Sequence, residues 1–205
     1  RYRWPLLRAI RPRQWTKNLL VYAAFFFTLN DRWNFEHLEQ AGLLFFSATI
    51  AFASFCALSA STYLLNDIMD AKRDQLHPRK RYRPVASGAL GIPTAIGSAV
   101  TLATLGIALA FSIQNTLGIT AAAYLVFQGI YTTILKHVAI VDVIALSMGF
   151  LIRASAGAIA IDAPISPWLY LCTMLGALFI GFGKRRNELI LVESPNRATR
   201  ISLRR

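Results

Sequence analysis

The chain has 205 residues, 55% hydrophobic and only 16% charged, yet its formal net charge is +12. A soluble domain runs nearer about a quarter charged, and a nucleic-acid binder would carry its basic residues on a water-soluble scaffold. The composition excludes both classes and fits a membrane protein with basic loops. Cys56 and Cys172 lie inside apolar stretches and read as packing residues, not as a disulfide or metal pair. No short apolar region with a cleavage site follows the basic N-terminus, so no signal peptide is expected, and a start at Arg1 reads as an incomplete end.

In chain order, RPRQWTKN (11–18) comes first, an interfacial anchor with Trp15 at headgroup depth and Lys17 snorkelling. A first span is expected over 15–30, through NLLVYAAFFFTLN. Residues 41–65 carry no charge and are long enough to cross a bilayer, which takes about 20 apolar residues. Pro84 through Leu135 is also free of charge and holds two spans, 88–111 and 117–135, broken at SIQNTLG where Gln, Asn and Gly favour a turn. Residues 139–160 contain only Asp142 and Arg153, and 164–183 contain no charge. The expectation is an all-α, polytopic membrane helical bundle, one membrane domain over 1–205 with six spans.

Lys and Arg counts in alternate loops give the orientation. The N-terminus, the 66–84 loop, the 136–138 turn and the segment after 183 hold 20 of the 22 basic residues. That side is expected to be cytoplasmic, in the cell membrane. The other side holds Arg32 among Asp31, Glu36, Glu39 and Asp162.

The stretch LLNDIMDAKRDQLHPRKRYRP (64–84) carries the chemistry. On a continued helix, Asn66, Asp67, Asp70 and Asp74 share an arc of about 100°. Carboxylates on one face repel unless a cation sits between them, and hard oxygens suit Mg²⁺ completed by substrate phosphate. Lys72, Arg73, Arg79, Lys80, Arg81 and Arg83 follow at once, donors that suit phosphate. A solvated, positive-inside loop explains these bases but not the spaced acids; a Mg²⁺–diphosphate site explains both.

YTTILKH (131–137) ends the fourth span with Tyr131, Lys136 and His137, and GKRRNEL (183–189) ends the sixth with Lys184, Arg185, Arg186 and Glu188. Taken singly, each reads as a basic cap on a helix C-terminus, with His137 an interfacial residue. Asp142 and Arg153 are charges inside a span, costly there unless paired or functional. Eleven residues separate them, about 16 Å along a helix, too far to pair with each other. Asp142 lies near the cytoplasmic end; Arg153 is deeper, an interior structural or substrate-binding residue.

Together these residues resemble the UbiA superfamily of intramembrane prenyltransferases. Asn66, Asp67, Asp70 and Asp74 match its N-D-x-x-D-x-x-x-D motif, and Tyr131, Leu135 and Lys136 match Y-x-x-x-L-K. RPRQWTKN, HPRKRYRPVASG, LKH, FLIRASAG and GKRRNEL are similar to its decaprenyl-phosphate phosphoribosyltransferase-like branch. The resemblance implies nine helices, so six here point to missing C-terminal helices, in a piece of a longer protein or a truncated homologue. Where other members carry a second Asp-rich motif this chain has Lys184, Arg185 and Glu188, which implies direct phosphate binding there. The implied reaction is Mg²⁺-dependent transfer of 5-phosphoribosyl from phosphoribosyl diphosphate to a polyprenyl phosphate. Asp67, Asp70 and Asp74 would hold the metal with Asn66 in support. Arg73, Lys80, Arg81 and Arg83 would clamp diphosphate, and Lys17, Lys136, Lys184 and Arg185 would steady the other phosphates. The alternatives are an aromatic prenyltransferase using prenyl diphosphate and a non-catalytic subunit of a membrane complex, with a transporter a third. Homo-oligomer or complex partners stay open, and no nucleic acid is expected.

Overall fold

Charge-free runs of Ala, Ser, Leu and Phe become helices because a segment without water must satisfy its own backbone groups. A computed structural model describes residues 4–202, with the side chains of His137, Ala139, Lys184, Arg185 and residues 187–202 outside the description. A short α1 (Pro5–Ala9) leads into a 3₁₀ segment (Pro12–Tyr22) and α2 (Ala23–Phe27). Then come α3 (Leu38–Met69), α4 (Ala71–Gln75), α5 (Ile92–Ile113), α6 (Asn115–Thr133), α7 (Ala139–Ala160) and α8 (Pro167–Ser202). Among the described residues there is no strand, only an isolated bridge between Leu29 and Trp33.

Among the described residues, three helices are long and apolar enough to cross a membrane: Leu38–Met69, Ile92–Ile113 and Ile140–Ala160. Pro167–Gly183 is a shorter apolar one. The spans expected at 41–65, 88–111, 117–135 and 139–160 fall on α3, α5, α6 and α7, and 164–183 falls on the start of α8. The break expected in SIQNTLG is at Gln114, which is fully extended (φ −165°, ψ 155°) between α5 and α6.

The stretch expected to span at 15–30 is not one α-helix. It is eleven residues of 3₁₀ followed by five of α. At about 2.0 Å rise per residue against about 1.5 Å, the pair covers roughly 30 Å, the thickness of a hydrocarbon core. Of its polar side chains Asn18 is turned inward and fully buried, as is Val21, while Arg13, Thr16 and Lys17 stay exposed.

Small residues let the helices approach closely, as membrane bundles require. Ser54 Oγ and Ser61 Oγ of α3 donate to the carbonyls of Gly106 and Ala99 on α5, both at 2.7 Å. A Cβ on Gly106 would lie 2.8 Å from Leu58 Cγ. Gly157 of α7 lies directly against the Val21 carbonyl, where no Cβ fits. Around these contacts Val21, Phe55, Leu58, Leu117, Tyr124 and Ala156 form the central core.

Arg153 stands in this core at 5% exposure, and each of its hydrogen-bond partners is neutral. Nε donates to Asn18 Oδ1 at 2.6 Å and Nη1 to the Gly149 carbonyl at 2.6 Å. Nη2 donates to the Tyr124 hydroxyl at 2.6 Å and to Ser59 Oγ at 3.4 Å. The guanidinium also lies 4.9 Å from the Tyr124 ring centroid. One side chain thus ties the 3₁₀ segment, α3, α6 and α7 together, which makes it an interior tie of the bundle.

Gly157→Ala is expected to lower stability by about 3 kcal/mol through overpacking, seen as a lower Tm in detergent. Gly97→Ala, with open space around its Cβ, should be neutral or stabilising by up to about 1 kcal/mol. For the arginine tie, Tyr124→Phe should cost about 1–3 kcal/mol by leaving Nη2 its one long bond. Combined with Arg153→Met it should show a coupling of about 0.5–3 kcal/mol in a double-mutant cycle of thermal unfolding.

Candidate active site

Helix α3 ends where its charges begin. Asp67 lies in its last turn, and Asp70 is the residue at which the helix stops before α4 begins. The four motif residues are therefore not on one continued helix, as the single-arc reading assumed. Acids at a helix C-terminus face the negative end of the dipole, so this turn is stable only if cations reach it.

The chain supplies them from both sides. Downstream, Arg83 precedes Pro84, which biases it to an extended backbone (φ −64°, ψ 144°). From there Nη1 donates to Asp74 Oδ2 at 2.7 Å and to Asp67 Oδ1 at 3.3 Å. The loop beyond is fastened, because Val85 and Leu90 pack with Ala9, Leu64, Ala71, Ala95 and Ala99. Gly88, at φ +73°, makes the turn that a side chain would strain. Upstream, Arg11 pairs with Asp67 Oδ1 and lies 5.2 Å from the Tyr63 ring centroid.

The acids fall into two groups. Asp67 and Asp74 are 1% and 2% exposed and share Arg83. Asp70 is part-exposed, and Lys136 Nζ donates to its two oxygens at 3.2 and 3.3 Å and to Asn66 Oδ1 at 3.2 Å. The 66–70 turn and the 3₁₀ turn Leu135–His137 that follows α6, seventy residues apart, thus meet at the same end of the bundle as Arg11. At the opposite end, Arg32 donates to the Asp162 carbonyl.

A cleft of about 290 Å³ opens beside Asp67, lined by Arg8, Arg11, Gln14, Asp67, Arg79, Tyr82, Arg83 and Pro84. Four guanidinium groups over a buried carboxylate make an anion seat with an acid in its wall. A larger hollow of about 440 Å³ at the opposite end, between Phe27, Pro164 and Trp168, is mostly apolar.

Of the other residues expected at the site, Arg73, Lys80 and Arg81 are exposed. Arg81 is turned onto its neighbour, Nη2 donating to the Tyr82 hydroxyl at 2.7 Å. Lys17 is exposed on the 3₁₀ segment. The Tyr131 hydroxyl donates to Asp142 Oδ1 at 2.7 Å, joining α6 to α7. The side chains of Lys184, Arg185 and Glu188 lie outside the described residues. Arg11, with Arg8, is the functional candidate that sequence reasoning passed over, whereas Arg79 was among the phosphate donors expected after the acids. RPRQWTKN was read as a lipid anchor, and its pairing across 56 positions has no local signature.

Among the described residues no three His, Cys, Asp or Glu side chains converge on a metal position. Mg²⁺ needs no such cage, since it commonly takes one or two carboxylates plus waters and substrate phosphate oxygens. Asp67 Oδ2 is buried and is the one such side-chain atom without a hydrogen-bond partner among the described residues. That unpartnered hard oxygen, beside Asp74, fits a substrate-borne divalent cation.

The sequence pattern of the UbiA prenyltransferase family matches residues 19–187. Decaprenyl-phosphate phosphoribosyltransferase of Mycolicibacterium smegmatis is 39% identical over 198 residues, covering 97% of this chain and 61% of that protein. The enzyme of the same name from Corynebacterium glutamicum is 36% identical over 200 residues, covering 97% and 58%. The chain thus spans about three fifths of the curated relatives it matches. Among solved structures, a UbiA homologue from Archaeoglobus fulgidus bound to GPP and Mg²⁺ superposes with a TM-score of 0.70 at 20% identity. It covers 85% of this chain and 60% of that one. A digeranylgeranylglyceryl phosphate synthase superposes at 0.69 with 18% identity, covering 85% and 59%. With a family pattern over most of its length and a shared helical fold, the chain belongs to the UbiA prenyltransferase family.

Proposed function

We propose that the protein transfers 5-phosphoribosyl from phosphoribosyl diphosphate to a polyprenyl phosphate, giving polyprenyl-phosphoryl-5-phosphoribose and diphosphate. The observation that carries this reading is the arginine cleft beside the buried Asp67, which shares Arg83 with Asp74. It is supported by relatives named decaprenyl-phosphate phosphoribosyltransferase. The bundle makes six crossings of the cytoplasmic membrane, with the 3₁₀ segment and α2 together as the first. The site opens to the cytoplasm, on the side holding 20 of the 22 basic residues.

Asp67 and Asp74, with Asp70 and Asn66 alongside, would hold Mg²⁺ at the diphosphate site. When bound, the metal supplies Lewis-acid neutralisation of the leaving group. Arg83, Arg11, Arg8 and Arg79 bind diphosphate oxygens by charge-assisted hydrogen bonds. Lys136, with Lys17, Lys184 and Arg185, steadies the ribose 5-phosphate or the lipid phosphate. An oxygen of the polyprenyl phosphate attacks ribose C1, an O–C1 bond forms, and diphosphate leaves with the electron pair of the broken bond. That oxygen is already anionic near pH 7, so no proton has to be removed. The polyprenyl tail lies in the bilayer between helices.

Membranes containing the protein, given labelled phosphoribosyl diphosphate, polyprenyl phosphate and Mg²⁺, are expected to yield labelled lipid. Asp67→Asn and Asp74→Asn should lower that yield at least about 100-fold. Label appearing instead on an aromatic acid supplied with prenyl diphosphate would replace this reading with prenyl transfer. Unchanged yield from either variant would remove the acids from the reaction.

A further inference from the structure

We infer that Arg11 is an exchangeable ligand: it neutralises Asp67 until diphosphate arrives, then moves onto phosphate and leaves the carboxylate to the metal. The inference rests on the diphosphate site proposed above and adds a coupling between its two ligands.

The carboxylate of Asp67 is used unevenly. Oδ1 accepts from both Arg11 and Arg83, while Oδ2, equally buried, has no hydrogen-bond partner among the described residues. A buried anionic oxygen left bare is costly, which marks Oδ2 as a position for a ligand. The inner cluster of Asp67, Asp74, Arg11 and Arg83 is already neutral. A divalent cation entering alone adds two positive charges beside two guanidinium groups, with Arg8 and Arg79 also on the cleft. That is opposed by Coulomb repulsion, which is strong where water is scarce. A diphosphate reverses the balance and offers the arginines new acceptors.

The two arginines are not equally able to move. Arg83 bridges two carboxylates from a loop held in the core at Val85 and Leu90. Arg11 makes one ion pair, to Asp67, and its side chain is 21% exposed. It stands between α1 and the 3₁₀ segment at φ 51°, a left-handed conformation costing on the order of 1 kcal/mol for a residue other than glycine. That backbone aims the side chain over Asp67 and the face of Tyr63. The ring gives the guanidinium a surface along which it shifts from carboxylate to phosphate while keeping its cation–π contact.

Arg11 therefore acts on the two ligands with opposite sign, opposing metal alone and favouring diphosphate. The test is titration of the purified protein in detergent. Mn²⁺ alone is followed by electron paramagnetic resonance, and inorganic diphosphate, with and without Mg²⁺, by calorimetry. In the wild type, Mg²⁺ should tighten diphosphate at least about tenfold, within the usual range of coupling between sites. Arg11→Gln should bind Mn²⁺ alone about 3–10-fold more tightly and diphosphate with Mg²⁺ about 10-fold more weakly. Arg11→Lys, which keeps the charge but loses the fork, should leave Mn²⁺ binding near wild type and weaken diphosphate. It serves as the test if the glutamine variant does not fold. If both affinities fall together in these variants, Arg11 is a structural support and the exchange is wrong. Unchanged diphosphate affinity limits Arg11 to neutralising Asp67 and also overturns it. A wild type that binds neither probe overturns the proposed site itself.

Discussion

One carboxylate, buried where a helix least favours it, organises the basic end of this bundle. Asp67 sits in the last turn of α3, 1% exposed and at the negative end of the helix dipole. A lone charge there would cost several kcal/mol, so the chain has to return to it with cations. Arg83 arrives through a proline-set extended backbone and a loop anchored in the core, Arg11 through a left-handed residue between two short helices. The shapes of the N-terminal segment and of the 75–91 loop both answer to that one side chain.

The buried cation Arg153 is handled by a different physics. Arg153 hydrogen-bonds to no acid; its positive charge is spread over four neutral oxygens and two aromatic faces. Replacing any partner there strands a donor, so the network rewards one arrangement of four elements. At the Asp67 end the partners are charged and part-exposed, and water or an anion is able to substitute for them. Burial of the partners separates the two cases: those of Arg153 are enclosed in the core, whereas the arginines that reach Asp67 are part-exposed.

What was legible in the sequence follows from which forces are local. Apolar runs of bilayer length, free of charge at α3 and α5 and holding only Asp142 and Arg153 at α7, announced these helices, since hydrophobic length is a property of the segment itself. Lys136 and Asp70 were each singled out in the sequence, but their pairing across 66 positions has no local signature. The 3₁₀ winding of 12–22 was not legible: Pro12 and the apolar residues after it suit either winding, and the choice is made by packing against α7 at Gly157. Treating 66–74 as one helix failed for a related reason. The helix stops at Asp70, and the inner and outer acids are sorted by partners far away in sequence. Arg11 was hidden in the same way, its role visible only once residue 67 is beside it.

The division of the acids bears on how a metal would be held. Asp67 lines the cleft and shares Arg83 with Asp74, while Asp70 is held by Lys136, so the chain alone does not close a three-carboxylate cage among its described residues. A small, strongly hydrated cation such as Mg²⁺ gains little from two carboxylates that already have guanidinium partners. It gains much more when it arrives on a diphosphate, whose oxygens fill its coordination and whose charge draws the arginines away. On the exchange inferred above, filling the metal position and recognising the phosphate donor become a single event, and the neutral inner cluster of Asp67, Asp74, Arg11 and Arg83 discriminates against the metal alone.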